Sequence, residues 1–268
     1  MTSRMTRRLL GGFTMALALT AAACGGKSSS VAPTPDPNSV DARAALVDSL
    51  WAKAESAFRR GSYEDVLVAL ERVNLEMVPN DPRRVRMHFM SGEAMFAQGS
   101  QLQAAREFRK VSDETPSDPL APEALLRAAD AFAELWKRPQ LDPTYGQTAL
   151  ATYQEVTNRF PGTSASRRAT KRVTELQDRF ALKEYEAGKY YMRLKAYDSA
   201  ILYFRDVVAT YPRSTVAPKA LVDLVKAYYK LGYVEDVQET CGYIRRFHAN
   251  APGVAEVCPS AATEPGAS

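Results

Sequence analysis

Residues 41–250 predict an all-α protein, a solenoid of stacked helical hairpins, and three observations carry that expectation. Apolar residues recur at helical spacing, with no run of strand-like alternation. A small-then-large pair before a turn and three apolar positions after it return in phase along the chain. Prolines stand where units end, and a proline cannot extend the helix it follows.

The units are read outward from turn markers at Gly61, Gly99, Lys195 and Gly232. Seven residues before each marker lie Ala54, Gly92, Gly188 and Val225, and four before lie Ala57, Met95, Tyr191 and Tyr228. Five residues after come Val66, Ala104, Ala200 and Val237; nine after, Leu70, Phe108, Phe204 and Cys241; twelve after, Val73, Val111, Val207 and Ile244. Pro79, Pro116 and Pro212 close three of these units. A fifth unit fits with Thr144 as marker, through Ala149, Tyr153 and Val156 to Pro161. Small residues let two antiparallel helices approach, and the large residue packs across them. One hairpin cannot bury its own apolar face, so stacking on the next completes the core.

Two irregularities break the period. The loop WKRPQLDPTYGQ, residues 136–147, is expected to separate the helix APEALLRAADAFAEL from the helix TALATYQEV in the third unit. Residues 164–194 hold no proline and one late glycine, too long a stretch for one repeat helix. They predict an extra helix that continues or bends into the first helix of the fourth unit and divides the solenoid into halves, 41–138 and 139–250. A disordered tail is expected over 251–268.

The first 23 residues have a secretory layout: Arg4, Arg7 and Arg8, then an apolar stretch at 9–23, too short to span a bilayer, which needs about 20 residues. The Gly/Ser/Pro-rich segment 24–40 reads as a flexible tether. Removing that leader takes the formal charge from +4 to +1, which asks for no nucleic acid. Besides Cys24, at the junction of leader and tether, two cysteines remain for an oxidising compartment, Cys241 and Cys258. Either they close a disulfide that pins the tail to the last helix, or Cys241 is a small core residue and Cys258 a free thiol.

The residues carry several resemblances. LALT-AAA-Cys24 resembles a bacterial lipoprotein signal, with Ala21 where that signal prefers Leu; the resemblance implies acylation of Cys24, and Gly25 after it leans to the outer membrane. An ordinary cleaved signal is the other reading of the same residues. The small–large and Ala/Phe/Ala/Pro pattern resembles the tetratricopeptide repeat, implying a right-handed superhelix of about five hairpins with the extra linker helix near its middle. Over residues 140–235 the chain looks like the BamD family, lipoproteins of the outer-membrane β-barrel assembly machine. The shared features are aromatic-Pro then Gly-Thr-Ser at 160–164, the linker helix with Leu182-Lys183-Glu184, the pair Tyr190-Tyr191, Ala200-Ile201 before Phe204, and Tyr211-Pro212. Val78-Pro79 and Thr115-Pro116 stand where that family has aromatic-Pro endings.

That resemblance implies a periplasmic scaffold anchored in the outer membrane. Its C-terminal repeats would hold a BamA-like barrel-forming partner and other lipoproteins of the complex, and its N-terminal repeats would receive unfolded outer-membrane proteins. Many family members carry an Arg just before the position of Phe204 and pair it with that partner; here the residue is Tyr203, with Arg205 two residues on. Partner-binding candidates are Tyr190, Tyr203, Arg205, Arg245 and Arg246, the last two serving equally to offset a helix dipole. Groove candidates for substrate are Trp51, Phe58, His88 and Phe89, with Trp51 and Phe58 also readable as core. No HExxH, CxxC, GxGxxG or GxxxxGK occurs, so no metal or cofactor and no enzymatic function is expected. The pair Glu55-Ser56 matches a lytic transglycosylase dipeptide but lacks a Gly-rich segment after it. The alternative reading is a helical-repeat periplasmic protein that coordinates cell-wall synthesis with envelope constriction.

Overall fold

A computed structural model describes residues 39–258. It contains helices and turns, in the order α1 (Val40–Arg60), α2 (Tyr63–Glu76), α3 (Arg84–Ala97), α4 (Gln101–Glu114), α5 (Ala121–Leu135), α6 (Thr144–Arg159), α7 (Ser164–Arg193), α8 (Tyr197–Thr210), α9 (Ala217–Leu231), α10 (Val234–Phe247) and α11 (Val254–Val257). Successive helices pack as antiparallel hairpins, α1 on α2 through α9 on α10, and stack into one helical-repeat superhelix.

The turn markers do what their positions ask of them. Gly61, Gly99, Lys195 and Gly232 all take left-handed backbone, with φ of 71°, 80°, 58° and 73°. Three are glycine, which has no Cβ to clash there, and Lys195 adopts the conformation against that steric cost. Behind the turns the repeat positions interlock. A Cβ on Gly92 would lie 2.7 Å from the Phe108 ring, and one on Gly188 would lie 2.5 Å from the Phe204 ring. The same small-to-large contact thus recurs in α3/α4 and α7/α8. Val66, Ala104, Ala200, Val73 and Val207 are wholly buried beside these contacts.

Thr144 does not behave as the other markers do: it is the first residue of α6, and the expected loop of 136–147 shortens to 136–143. The Asp142 carboxylate accepts from the Thr144 backbone N–H at 2.9 Å and so starts the helix a turn early. Trp136, expected in that loop, is 1 % exposed and stacks on Phe180 with centroids 4.4 Å apart. Gly146 lies against the indole, and a Cβ there would overlap it. The division expected after residue 138 falls in the connection between α5 and α6, two helices that pack against each other.

The extra helix is continuous with the first helix of the next unit. Thr163 caps α7, its hydroxyl oxygen accepting from the Ser166 N–H at 3.1 Å. Thirty residues then run unbroken, about 45 Å at 1.5 Å per residue. Ala165, Ala169, Leu176 and Phe180 bury against the third hairpin, whereas Ala181 and Tyr185 belong to the C-terminal core. The helix is therefore a shared wall between two cores.

The tail expected from residue 251 is corrected in its first part. Val254 and Val257 of α11 are buried against α9, and Gly253 turns the chain onto Val222. Cys241 and Cys258 are joined in a disulfide with Cα atoms 5.5 Å apart. Residues 259–268, the leader and most of the tether lie outside the described residues. No helix among the described residues is long and apolar enough to cross a membrane.

Candidate binding surfaces

A concavity lies between α3, α5, α6 and α7, a groove of about 480 Å³ lined by Phe96, Arg127, Asp130, Tyr153, Arg172 and Arg179 among others. Helix spacing builds it: Arg127 and Asp130 share one face of α5, and Arg172, Glu175 and Arg179 share one face of α7. Arg127 stretches across to α3, where Nε and Nη2 donate to the Glu93 carboxylate at 2.5 and 3.0 Å. Its guanidinium also lies 4.3 Å from the centre of the Phe96 ring. Asp130 is held from two sides, by Arg127 at 3.3 Å and by the Tyr153 hydroxyl, which donates at 2.7 Å. Burial, and then the charge of Asp130, push the Tyr153 phenol well above its ordinary value, so it stays a donor. Arg179 donates to the Trp136 carbonyl and lies 4.9 Å over the indole. The groove thus presents charged and aromatic groups already fixed by their neighbours, an arrangement suited to holding an extended polypeptide. Sequence reasoning missed it, since its residues come from four helices with no shared motif.

The four N-terminal groove candidates separate. Trp51 and Phe58 are half-buried against the core of the first hairpins. Phe89 meets Phe108 edge-on at 5.6 Å. His88 is 8 % exposed, and its Nδ1 lies 2.7 Å from a carboxylate oxygen of Glu107 on α4. Burial opposes the charge of Glu107, but hydrogen bonds with His88 and Lys110 outweigh it and hold the carboxyl below the ordinary range. His88 therefore braces a hairpin from within, and its placement in an open groove is corrected.

The C-terminal candidates form two surfaces. Tyr190 is 51 % exposed and contacts Tyr191, whose ring stacks on Tyr203 with centroids 5.2 Å apart and planes 14° from parallel. Arg205 points away from these, into a groove between α8 and α10 floored by Leu221, Leu224 and Tyr228 and edged by Asp236 and Glu239. Arg246 lies over the Phe247 ring at 5.2 Å, and Arg245 precedes it at the end of α10. Cys24 lies outside the described residues.

Stacked hairpins with interhelical grooves define the class, a helical-repeat protein of extended surfaces. Within that class the chain belongs to the YfiO family, described as outer membrane lipoprotein, whose model matches residues 43–242. Among curated relatives, an outer membrane protein assembly factor BamD of Caulobacter vibrioides is 23% identical over 192 residues, covering 72% of this chain and 63% of that protein. The BamD of Xylella fastidiosa is 23% identical over 196 residues, covering 69% and 67%. The chain therefore spans less than two thirds of the Caulobacter protein. Among solved structures, the TPR domain of P58(IPK) is similar over 81% of this chain and 55% of that one, with 13% identity and a TM-score of 0.44.

Proposed function

We propose that this protein is a lipid-anchored periplasmic scaffold of outer-membrane β-barrel protein assembly, moored through Cys24. The observation that carries the reading is the family match over residues 43–242, among relatives that are outer membrane protein assembly factors. The C-terminal surfaces around Tyr190, Tyr203, Arg205 and the end of α10 hold a BamA-like partner and companion lipoproteins. The groove around Arg127, Asp130 and Tyr153 receives segments of unfolded outer-membrane proteins. Its groups are preorganised by Glu93, Phe96 and Trp136, which lowers the cost of binding a flexible chain. No step of chemistry is assigned to the chain.

Acyl chains on Cys24 account for anchoring, each buried methylene contributing about 0.8 kcal/mol. Cys24→Ala is expected to move the protein from the membrane pellet to the soluble periplasmic fraction. Crosslinking and mass spectrometry of the full-length protein are expected to recover a BamA-like protein. A complex that lacks it and contains peptidoglycan-associated proteins instead would replace this reading with the cell-wall alternative.

A further inference from the structure

A strip of side chains along the open edge of the α7/α8 hairpin has apolar and acidic character, with Lys195 at its turn and Lys183 beside Glu184, and neither of its two carboxylates is held in an ion pair among the described residues. Starting from the turn at Lys195, it presents Leu194 and Leu202, 57 % and 69 % exposed, then the stacked pair Tyr191 and Tyr203, then Glu184 on α7 and Asp206 on α8. Glu184 and Tyr191 are seven residues apart on α7, and Tyr203 and Asp206 three apart on α8, so each pair shares a helix face. Burial, and then the nearby charge of Asp206, raise the pKa of Glu184, which marks the two carboxylates as neighbours. Among the described residues neither takes part in an ion pair; Asp206 accepts from the Thr210 hydroxyl at 3.1 Å, and Lys183, next in sequence, is the cation acting on Glu184. At the register position of Asp206 the preceding units differ: Lys110 stands there on α4, and Glu155 on α6 is paired with Arg109 and Arg159.

We propose that the strip formed by Glu184, Tyr191, Leu202, Tyr203 and Asp206 is a docking surface for a basic segment of a partner protein, an arginine or lysine lying over the tyrosines and between the carboxylates. The charge balance selects the occupant. An apolar helix laid on the strip would strip water from two carboxylates and return no counter-charge. An anionic surface would be repelled. A guanidinium satisfies the carboxylates and stacks on tyrosine faces, while its neighbours cover Leu194 and Leu202. The proposal rests on the reading that these repeats hold other proteins, and it adds the chemistry of the partner.

The test places a photo-reactive benzoylphenylalanine at Leu202 of the full lipoprotein in its native cells and maps the crosslinked peptide by mass spectrometry. The expected product is a segment of another protein with Arg or Lys beside the crosslinked residue. Its yield should fall about tenfold or more in Glu184→Lys/Asp206→Lys, and less in Glu184→Gln/Asp206→Asn, with helix content and melting unchanged. Absence of a crosslink, a crosslinked segment without basic residues, capture of a second copy of this chain, or a yield indifferent to charge reversal would each overturn the proposal. A basic segment on a protein outside the barrel-assembly machinery would keep the surface and remove the functional reading above.

Discussion

From α1 to α7 the hairpins are laced to one another by ion pairs, whereas beyond α7 a single apolar core and a disulfide take over. Arg83 reaches Asp48 at 2.7 Å, Arg127 reaches Glu93, Arg109 and Arg159 bridge α4 to α6, and Arg168 bridges α7 to Glu123. The pairs Lys189–Glu186 and Lys226–Asp223 each stay within one helix. In their place a core runs from Ala181 through Phe204, Leu221 and Ile244 to Cys258, closed by Cys241–Cys258. Partly exposed ion pairs contribute little each and are screened by salt, while buried area and a covalent tie are not. The comparison teaches that one repeat pattern supports two kinds of adhesion, and that the strip at Glu184 and Asp206 marks where the lacing stops.

The largest test of this contrast is Ala200→Asp, which buries a charge at a fully enclosed position between α7 and α8. It is expected to cost more than about 3 kcal/mol and to unfold the C-terminal end first, read by melting and hydrogen exchange. Next comes Cys241→Ala/Cys258→Ala. Losing the cross-link is expected to remove roughly 3 kcal/mol from the C-terminal end and to speed exchange in α9 and α10, with α1–α4 unaffected. Equal loss at both ends would break the comparison.

Gly188→Ala drives a methyl into the Phe204 ring and Gly92→Ala one into Phe108; each is expected to cost about 1–3 kcal/mol. Similar costs would show the interlock to be common to both regions. The smallest effects belong to the lacing. Arg159→Met should cost under about 1 kcal/mol and weaken the dependence of melting on salt. Glu107→Gln tests the same region through pH. Because the folded carboxyl sits below the ordinary value of 4.5, its contribution is present above that value and lost as pH falls through the lower folded one. The variant should lose about 1 kcal/mol near neutrality and show a flatter acid limb in its melting profile.

Much of the fold was legible because the repeat writes itself in local terms. A left-handed turn wants glycine, a close helix pair wants a small residue opposite a large one, and both requirements recur at fixed distance. Gly61, Gly99 and Gly232 at the turns and the small residues Gly92 and Gly188 were visible this way, whereas Phe108 and Phe204 showed only as recurring apolar positions until the structure set them against those glycines. Trp136 was not, since a tryptophan beside two prolines reads as loop until Gly146 and Phe180 are known to enclose it. His88 misled for a similar reason: its partner Glu107 is 19 residues away on the next helix.

The candidate surfaces divide along the same line. Tyr190 stood out as an aromatic residue on a repeat helix and Tyr203 as the residue where the resembling family carries Arg, but the stacking of Tyr191 on Tyr203 depends on how α7 meets α8. The groove of Arg127, Asp130, Tyr153 and Arg179 left no trace in any local pattern.

The amino-acid order alone determined the helices, most of their turns and the presence of an over-long central helix, because backbone preference and periodic burial act within about one hairpin. Tertiary structure decided that α7 belongs to two cores, that Cys241 meets Cys258, and which charges are paired and which stand open. Those outcomes depend on the stacking angle of one hairpin on the next, a sum of many weak contacts between residues far apart in the chain.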